Sequence, residues 1–333
     1  MKKIICLLLT VCLLAALLTG CATDTGRSGK RSLVVTIFPV ADWIWHVLGS
    51  QAENWEITVL LDNGADLHNY QPTAEDMVTI AGCDLFVCVG GLSDRWVDDA
   101  LKNEGNPDRT VVRLLDELGS AAKVEELVEG MEPEAEAEEE EAPEIDEHIW
   151  LSLKNAEVLC GVLADKLSEL DPEHAATYAA SADSYIAQLR ALDEQYAEMA
   201  ASARHDTVVC ADRFPFRYLM DDYNIKYYAA FAGCSAEVEA SFETVVFLAN
   251  KVDELDLQCV IQTETSDGKL ARTVLDAANS REQDVIFTLD SMQSGDFQYS
   301  AQQDIGLMLF YPDYLSIMES NLTTLRNALN AGE

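Results

Sequence analysis

The sequence predicts an α/β protein of two lobes, each a parallel sheet with flanking helices, joined by a long rigid backbone helix. Three observations lead there. β-Branched runs alternate with helical periodicity on both sides of the chain's middle. Between them Tyr185, Leu189, Leu192, Tyr196 and Met199 step by four, three, four and three residues. That is one apolar stripe on a helix of about 30 residues, ~45 Å at 1.5 Å per residue and long enough to span both lobes. Finally, 333 residues of 49% hydrophobic composition suffice for two packed cores.

The elements follow in order. Lys2 and Lys3, the apolar run "IICLLLTVCLLAALL" and "LTGC" at Leu18 to Cys21 predict a lipoprotein signal over residues 1–20. Cys21 would carry the lipid, placing the folded part on the extracytoplasmic face of the cell membrane. Residues 21–32, small and polar, read as a flexible tether. A first lobe over 33–170 opens with a strand from Leu33 to Phe38, punctuated by Pro39, and a helix bearing Trp43, Ile44, Val47 and Leu48. The strand "WEITVLLD", the loop "NGADLHNYQP", a helix capped by Thr73, the buried strand "CDLFVCVGG" and the weaker strand "RTVVRLLD" come next. The stretch 125–147 holds thirteen Asp or Glu and no Lys or Arg, so it repels itself and predicts a solvated loop. "WLSLKNAEVLCGVLADKLSEL" restores helical periodicity. Asp171 as N-cap and Pro172 at the first helical position open the linker helix, 171–204, whose length predicts little hinge opening. In the second lobe, 205–333, the strands "DTVVCA", "KYYAAF", "QCVIQT" and "DVIFTL" alternate with helices, and the amphipathic "DYLSIMESNLTTLRNALN" closes the chain.

A net charge of -37 and a pI near 4.2 exclude nucleic acid and anionic lipid headgroups as partners of the folded part. Cations are the natural guests. Of nine cysteines, Cys6 and Cys12 leave with the signal and Cys21 takes lipid; Cys83, Cys88, Cys160, Cys210, Cys234 and Cys259 sit mostly in apolar runs without CxxC spacing and read as small buried hydrophobes. There is no glycine-rich phosphate loop and no nucleophile elbow.

The five histidines narrow the search. His46, His174 and His205 read as packed or solvated. His68 lies on a loop between a buried strand and a helix, the sheet edge at which α/β proteins bind ligands, and His148 lies at a loop-to-helix boundary followed by Trp150. In the second lobe Asp212 and Asp290 end strands, with Glu264 a weaker third. Separately these are a loop histidine, an Asp212–Arg213 ion pair or a turn cap. Together, imidazole and carboxylate form a site for Zn²⁺ or Mn²⁺. An extracytoplasmic metallohydrolase using His68 and His148 around an open metal position, and an adhesin-like lipoprotein that no longer binds metal, are the alternatives.

Several stretches in combination resemble the metal-binding solute receptors of ABC importers for zinc and manganese, known as cluster A-I. They are "VVTIFPVADWIWHVLG", "GADLHNYQPTAEDMVTIAGCDLFVCVGG", "DEHIWLSLKNAEVL", "ELDPEHAATYAASADSY" and "FTLDSM". The resemblance implies a monomeric, non-enzymatic receptor that delivers a divalent ion to a membrane permease, with zinc preferred over manganese. It implies metal ligation by His68, His148 and Asp290. The family's remaining ligand, a His or Glu after the first strand of the second lobe, falls in "CADRFPFRY", which has neither. Gapless alignment on Tyr218 puts Arg213 there and a one-residue shift puts Asp212; since a cation cannot ligate a cation, Asp212 is expected. The tract 125–147 looks like the acidic version of a mobile loop that such zinc receptors carry before the second ligand histidine.

Overall fold

The computed structural model describes residues 29–61, 66–132, 144–235, 239–279, 284–293, 298–302 and 307–331; the signal peptide, Cys21, most of the tether and the middle of the acidic tract lie outside the described residues. Arg31–Glu333 forms one compact unit. It contains two four-stranded parallel sheets.

In the first sheet β1 (Arg31–Val35) pairs with β2 (Trp55–Val59) on one side and β3 (Leu85–Cys88) on the other, and β4 (Thr110–Arg113) follows β3. β1 starts two residues earlier than its hydropathy suggests, because Asp84 accepts the Ser32 backbone N–H at 2.8 Å and Arg31 lies over the Trp55 ring. Pro39 in the first turn then starts helix α1 (Phe38–Leu48) rather than ending a strand. Helix α2 (Ala74–Gly82) opens with a full capping box, in which Thr73 and Asp76 satisfy each other's backbone N–H groups. "RTVVRLLD" splits: β4 ends at Arg113 and a short helix (Leu114–Leu118) continues.

Helix α5 (Leu153–Leu170), counting the short helices Val97–Ala100 and Leu114–Leu118 as α3 and α4, leads into α6 (Ala175–Ser202), the long helix. Pro172 lies in a 3-10 turn (Pro172–His174) ahead of α6. The stripe read from the sequence is the buried face, Tyr178, Ala182, Tyr185, Leu189, Leu192, Tyr196 and Met199. Its polar tips fix both ends. Tyr178 Oη accepts Trp55 Nε1–H and Tyr185 Oη donates to Asp42 of α1, whereas Tyr196 Oη donates at 2.6 Å to the Met318 carbonyl of the terminal helix α10 (Tyr314–Leu329).

The second sheet runs β6 (Lys226–Ala232), β5 (Thr207–Phe214), β7 (Cys259–Thr263), β8 (Val285–Leu289), with helices α7 (Arg217–Asp222), α8 (Phe242–Glu254) and α9 (Lys269–Ala277) between strands. β5 is longer than "DTVVCA" because its register slips between Cys210 and Arg213, a bulge that re-aims the side chains beyond it. An antiparallel hairpin, β9 (Gln298–Gln302) with β10 (Leu307–Tyr311), precedes α10 and was not anticipated from the sequence.

Candidate metal site

The site grows from one local device used twice. Asp66 and Asp146 each stand two residues before a histidine, and each accepts that histidine's backbone N–H through Oδ1 at 2.9 Å. His68 is thereby fixed in a 3-10 turn (Leu67–Asn69), and His148 caps another (Ile149–Leu151) that feeds α5. The two imidazoles meet with Nε2 atoms 3.3 Å apart.

Each ring's other nitrogen is occupied. His148 Nδ1 lies 2.8 Å from Asp146 Oδ1; a carboxylate only accepts, so Nδ1 carries the proton and Nε2 a lone pair. His68 Nδ1 is 2.9 Å from Ser93 Oγ, and Ser93 is held in turn by its backbone N–H donating to Glu147 Oε1 at 2.7 Å. "DEH" therefore serves both rings, Asp146 on its own histidine and Glu147 on the partner's support. Glu147 can come this close because Gly91, at φ +90, has no Cβ: one built there would lie 2.5 Å from Glu147 Oε1. His148 is fully buried against the edge of Trp150, 5.4 Å between centroids, and Trp150 Nε1 donates to the Ser291 carbonyl. Burial, with the neighbouring His148, pulls the His68 pKa down to about 3, so its ring is neutral at physiological pH. Burial also raises the Glu147 carboxyl.

The second lobe contributes differently from the sequence expectation. The Asp212 carboxylate lies across the bulge onto β7, where Oδ2 accepts both the Thr263 N–H at 3.1 Å and its Oγ1–H at 2.7 Å. Arg213 reaches the first lobe instead, donating to Asp66 Oδ2 at 2.9 Å; against the burial that would raise it, that guanidinium and the His68 N–H hold Asp66 below the usual carboxylate range. Asp290 caps its own turn, Oδ1 accepting the Met292 N–H at 2.8 Å, and Asn321 clamps its backbone on both sides. Glu264 accepts the N–H and Oγ–H of Ser291, each at 2.8 Å. The structure thus brings His68 and His148 together and brings neither Asp212, Asp290 nor Glu264 into their cluster. Each of these carboxylates holds backbone N–H or hydroxyl donors of its own lobe.

Two residues that sequence reasoning missed stand in their place. The turn after Asp290 puts Met292 at φ 56, an unfavourable conformation for a side-chain-bearing residue, and delivers Gln293. Its Nε2 lies 2.8 Å from His68 Nε2 and 2.5 Å from His148 Nε2, so the amide donates into the His148 lone pair. Cys234, in the turn after β6, completes a group with His68 and His148 whose ligand atoms all lie within 4.8 Å of one another. The signal for Cys234 was its place beyond a strand end in the second lobe, the criterion that selected Asp212 and Asp290. Gln293, four residues past the end of β8, is neutral and gave no signal.

Comparison with known proteins gives the family. The family model ZnuA, zinc-uptake complex component A periplasmic, matches residues 33–328. A zinc-binding lipoprotein, AdcA, of Streptococcus pneumoniae is 29% identical over 329 residues, covering 98% of this chain and 61% of its own length. The chain thus spans less than two thirds of that relative. The high-affinity zinc uptake system protein ZnuA of Bacillus subtilis is 25% identical over 307 residues, covering 91% of this chain and 89% of its own. The crystal structure of the Zn(II)-bound ZnuA-like domain of Streptococcus pneumoniae AdcA superposes with a TM-score of 0.66 at 24% identity, over 91% of this chain and 100% of that domain.

Proposed function

Because the chain belongs to the ZnuA family, zinc-uptake complex component A periplasmic, we propose that it is an extracytoplasmic receptor that captures Zn²⁺ at His68 and His148 and delivers it to an ABC importer. Lipid on Cys21 tethers it to the membrane, the permease is its protein partner, and it works as a monomer without catalysing a reaction. Mn²⁺ is the weaker cargo.

One observation carries this reading. Two nitrogens bound at ~2.0–2.1 Å to a tetrahedral ion stand ~3.3 Å apart, which is the separation of the two Nε2 atoms. When both rings carry the proton on Nδ1, the facing Nε2 lone pairs repel at that distance unless a positive centre lies between them, and the Gln293 amide hydrogens supply only partial charge. A divalent ion supplies far more. Asp146 behind His148 fixes its tautomer and ring orientation, as carboxylates do behind metal-bound histidines. A receptor also needs its cargo enclosed, whereas hydrolysis needs an open metal position for water. His148 at 0% exposure suits the former.

The test is calorimetric titration of the full chain, in detergent and stripped by chelator, with Zn²⁺ and then Mn²⁺. One tight zinc site, weakened at least ~10³-fold in His68→Ala, is expected for loss of one ligand of a few. Weak, multiple binding that persists in the variant would assign the metal to the acidic tract and overturn the proposal.

A further inference from the structure

We infer that Cys234 is a ligand of the transported ion, making this a His₂Cys site that selects zinc-like, thiophilic ions over manganese. The inference rests on the receptor reading above and goes beyond it, since neither the resemblance nor the relatives' names include a thiolate.

The cysteines divide by surroundings. Cys83, Cys88, Cys160, Cys210 and Cys259 are buried, and all five belong to the large core; Cys234 alone of the six is partly exposed. Among the described His, Cys, Asp and Glu residues it alone groups with both site histidines. Its turn is seated against the metal-binding face by close packing. A Cβ on Gly233 would come within 2.8 Å of His148 Cε1 and 3.0 Å of its Nδ1, so the backbone carrying Cys234 approaches the imidazole as only glycine permits. Glu125 Oε1 accepts the Cys234 N–H at 3.0 Å and holds the turn from the far side. Burial and the carboxylates of Glu125, Asp146 and Glu147 push the free Cys234 thiol up, and the Glu147 backbone N–H opposes them, a donor suited to a metal-bound thiolate.

The chemistry is complete with groups on the page. Two imidazole nitrogens and one sulfur are three ligands of a tetrahedral ion, and zinc bonds of ~2.3 Å to sulfur and ~2.0–2.1 Å to nitrogen would put these atoms ~3.6 Å apart. The present spacing is within 4.8 Å. A small movement of the Gly233–Cys234 turn closes the difference. As the metal–sulfur bond forms, the thiol proton leaves to solvent and no redox change occurs. Gln293 yields its place between the rings and, by turning its amide, presents Oε1 as a neutral fourth ligand. Thiolate and imidazole suit Zn²⁺, whereas Mn²⁺ prefers oxygen. The absent second-lobe histidine or glutamate is thus replaced by a residue from the next strand end.

Full chain in detergent, stripped and reduced, is loaded with Co²⁺ as a spectroscopic substitute for Zn²⁺, in wild type, Cys234→Ser and His68→Ala. A thiolate-to-cobalt charge-transfer band in the near ultraviolet is expected in wild type and absent in Cys234→Ser, which keeps weakened visible d–d bands. Zinc affinity should fall roughly a hundredfold in Cys234→Ser, with Mn²⁺ affinity changing less than about tenfold. Zinc-edge X-ray absorption on wild type needs no variant and should show one sulfur at ~2.3 Å. Tight zinc binding that depends on His68 but shows no sulfur would overturn the assignment and leave the receptor intact. A charge-transfer band that survives in Cys234→Ser would place another cysteine on the metal and overturn it equally. Absence of tight binding in wild type would overturn both readings together.

Discussion

The two halves of the site are built by opposite means. The first lobe supplies His68 and His148 already dressed, each with its backbone held by the aspartate two residues earlier and its Nδ1 held by Ser93 or Asp146. The second lobe supplies an amide, a thiol and a guanidinium, while its strand-end carboxylates hold its own backbone. Carboxylates in the first lobe orient ligands; carboxylates in the second lobe orient turns. The same residue type therefore does different work according to what lies two positions along. After Asp66 and Asp146 comes a histidine, whereas after Asp290 comes Met292, and the ligand candidate is displaced to Gln293.

This contrast breaks most visibly if the second-lobe carboxylates prove to be functional rather than structural. Burial, and after it Asp290, raises the Glu264 carboxyl from the usual 4.5 to about 7. Between those values the folded protein keeps a proton that the unfolded chain has lost, so stability falls as pH rises across the window and is flat on either side of it. The penalty above pH 7 reaches up to roughly 3 kcal/mol for a shift of this size. Glu264→Gln should remove that part of the slope while keeping an acceptor for Ser291, seen as a smaller decline in melting temperature of the chelator-stripped protein from about pH 5 to 8. Asp42 and Asp94, raised to about 7 by burial, add slopes of the same sign that the variant leaves untouched. An unchanged slope with lost zinc binding would move Glu264 into the metal site and erase the contrast.

The legibility of the molecule follows the same division. Alternating strand and helix periods, the α6 stripe and the Thr73 cap are local properties, and the folded chain shows them as parallel sheets, a buried helix face and a capping box. His68 and His148 were legible because rare residues stood at sheet edges. The second lobe was not, because its outcome turns on non-local facts. A bulge in β5 sends Asp212 to Thr263 and Arg213 to Asp66, and no periodicity marks a single inserted residue. The hairpin of β9 and β10 was passed over because "QYSAQ" and "LMLFY" lack a two-residue turn signal between them. Cys234 was set among the core cysteines because its neighbours in sequence are apolar, whereas its neighbours in space are His68 and His148.

Smaller effects sharpen the comparison within the site. Asp146→Asn keeps an oxygen to accept the His148 N–H but loses the carboxylate behind Nδ1. Zinc affinity should fall ~10–100-fold, the usual effect of removing an outer partner of a metal-bound histidine, without loss of the fold. Calorimetry beside a melting curve separates the two, and a drop in melting temperature with unchanged affinity would make Asp146 merely structural. Gln293→Glu carries the smallest effect and tests the second lobe. Glutamine offers the ion a neutral oxygen, and first gives up the hydrogen bonds of 2.8 and 2.5 Å that its amide makes to the two rings. A carboxylate cannot donate those bonds, so without metal it faces the His148 lone pair and is destabilised. With metal it adds a full negative charge to the ligand sphere. Both changes favour the loaded state, and zinc should bind about tenfold more tightly, ~1.4 kcal/mol. Weaker binding in Gln293→Glu would mean that the amide's role is to hold the two imidazoles in position before the ion arrives, and that the second lobe pre-forms the site rather than completing it.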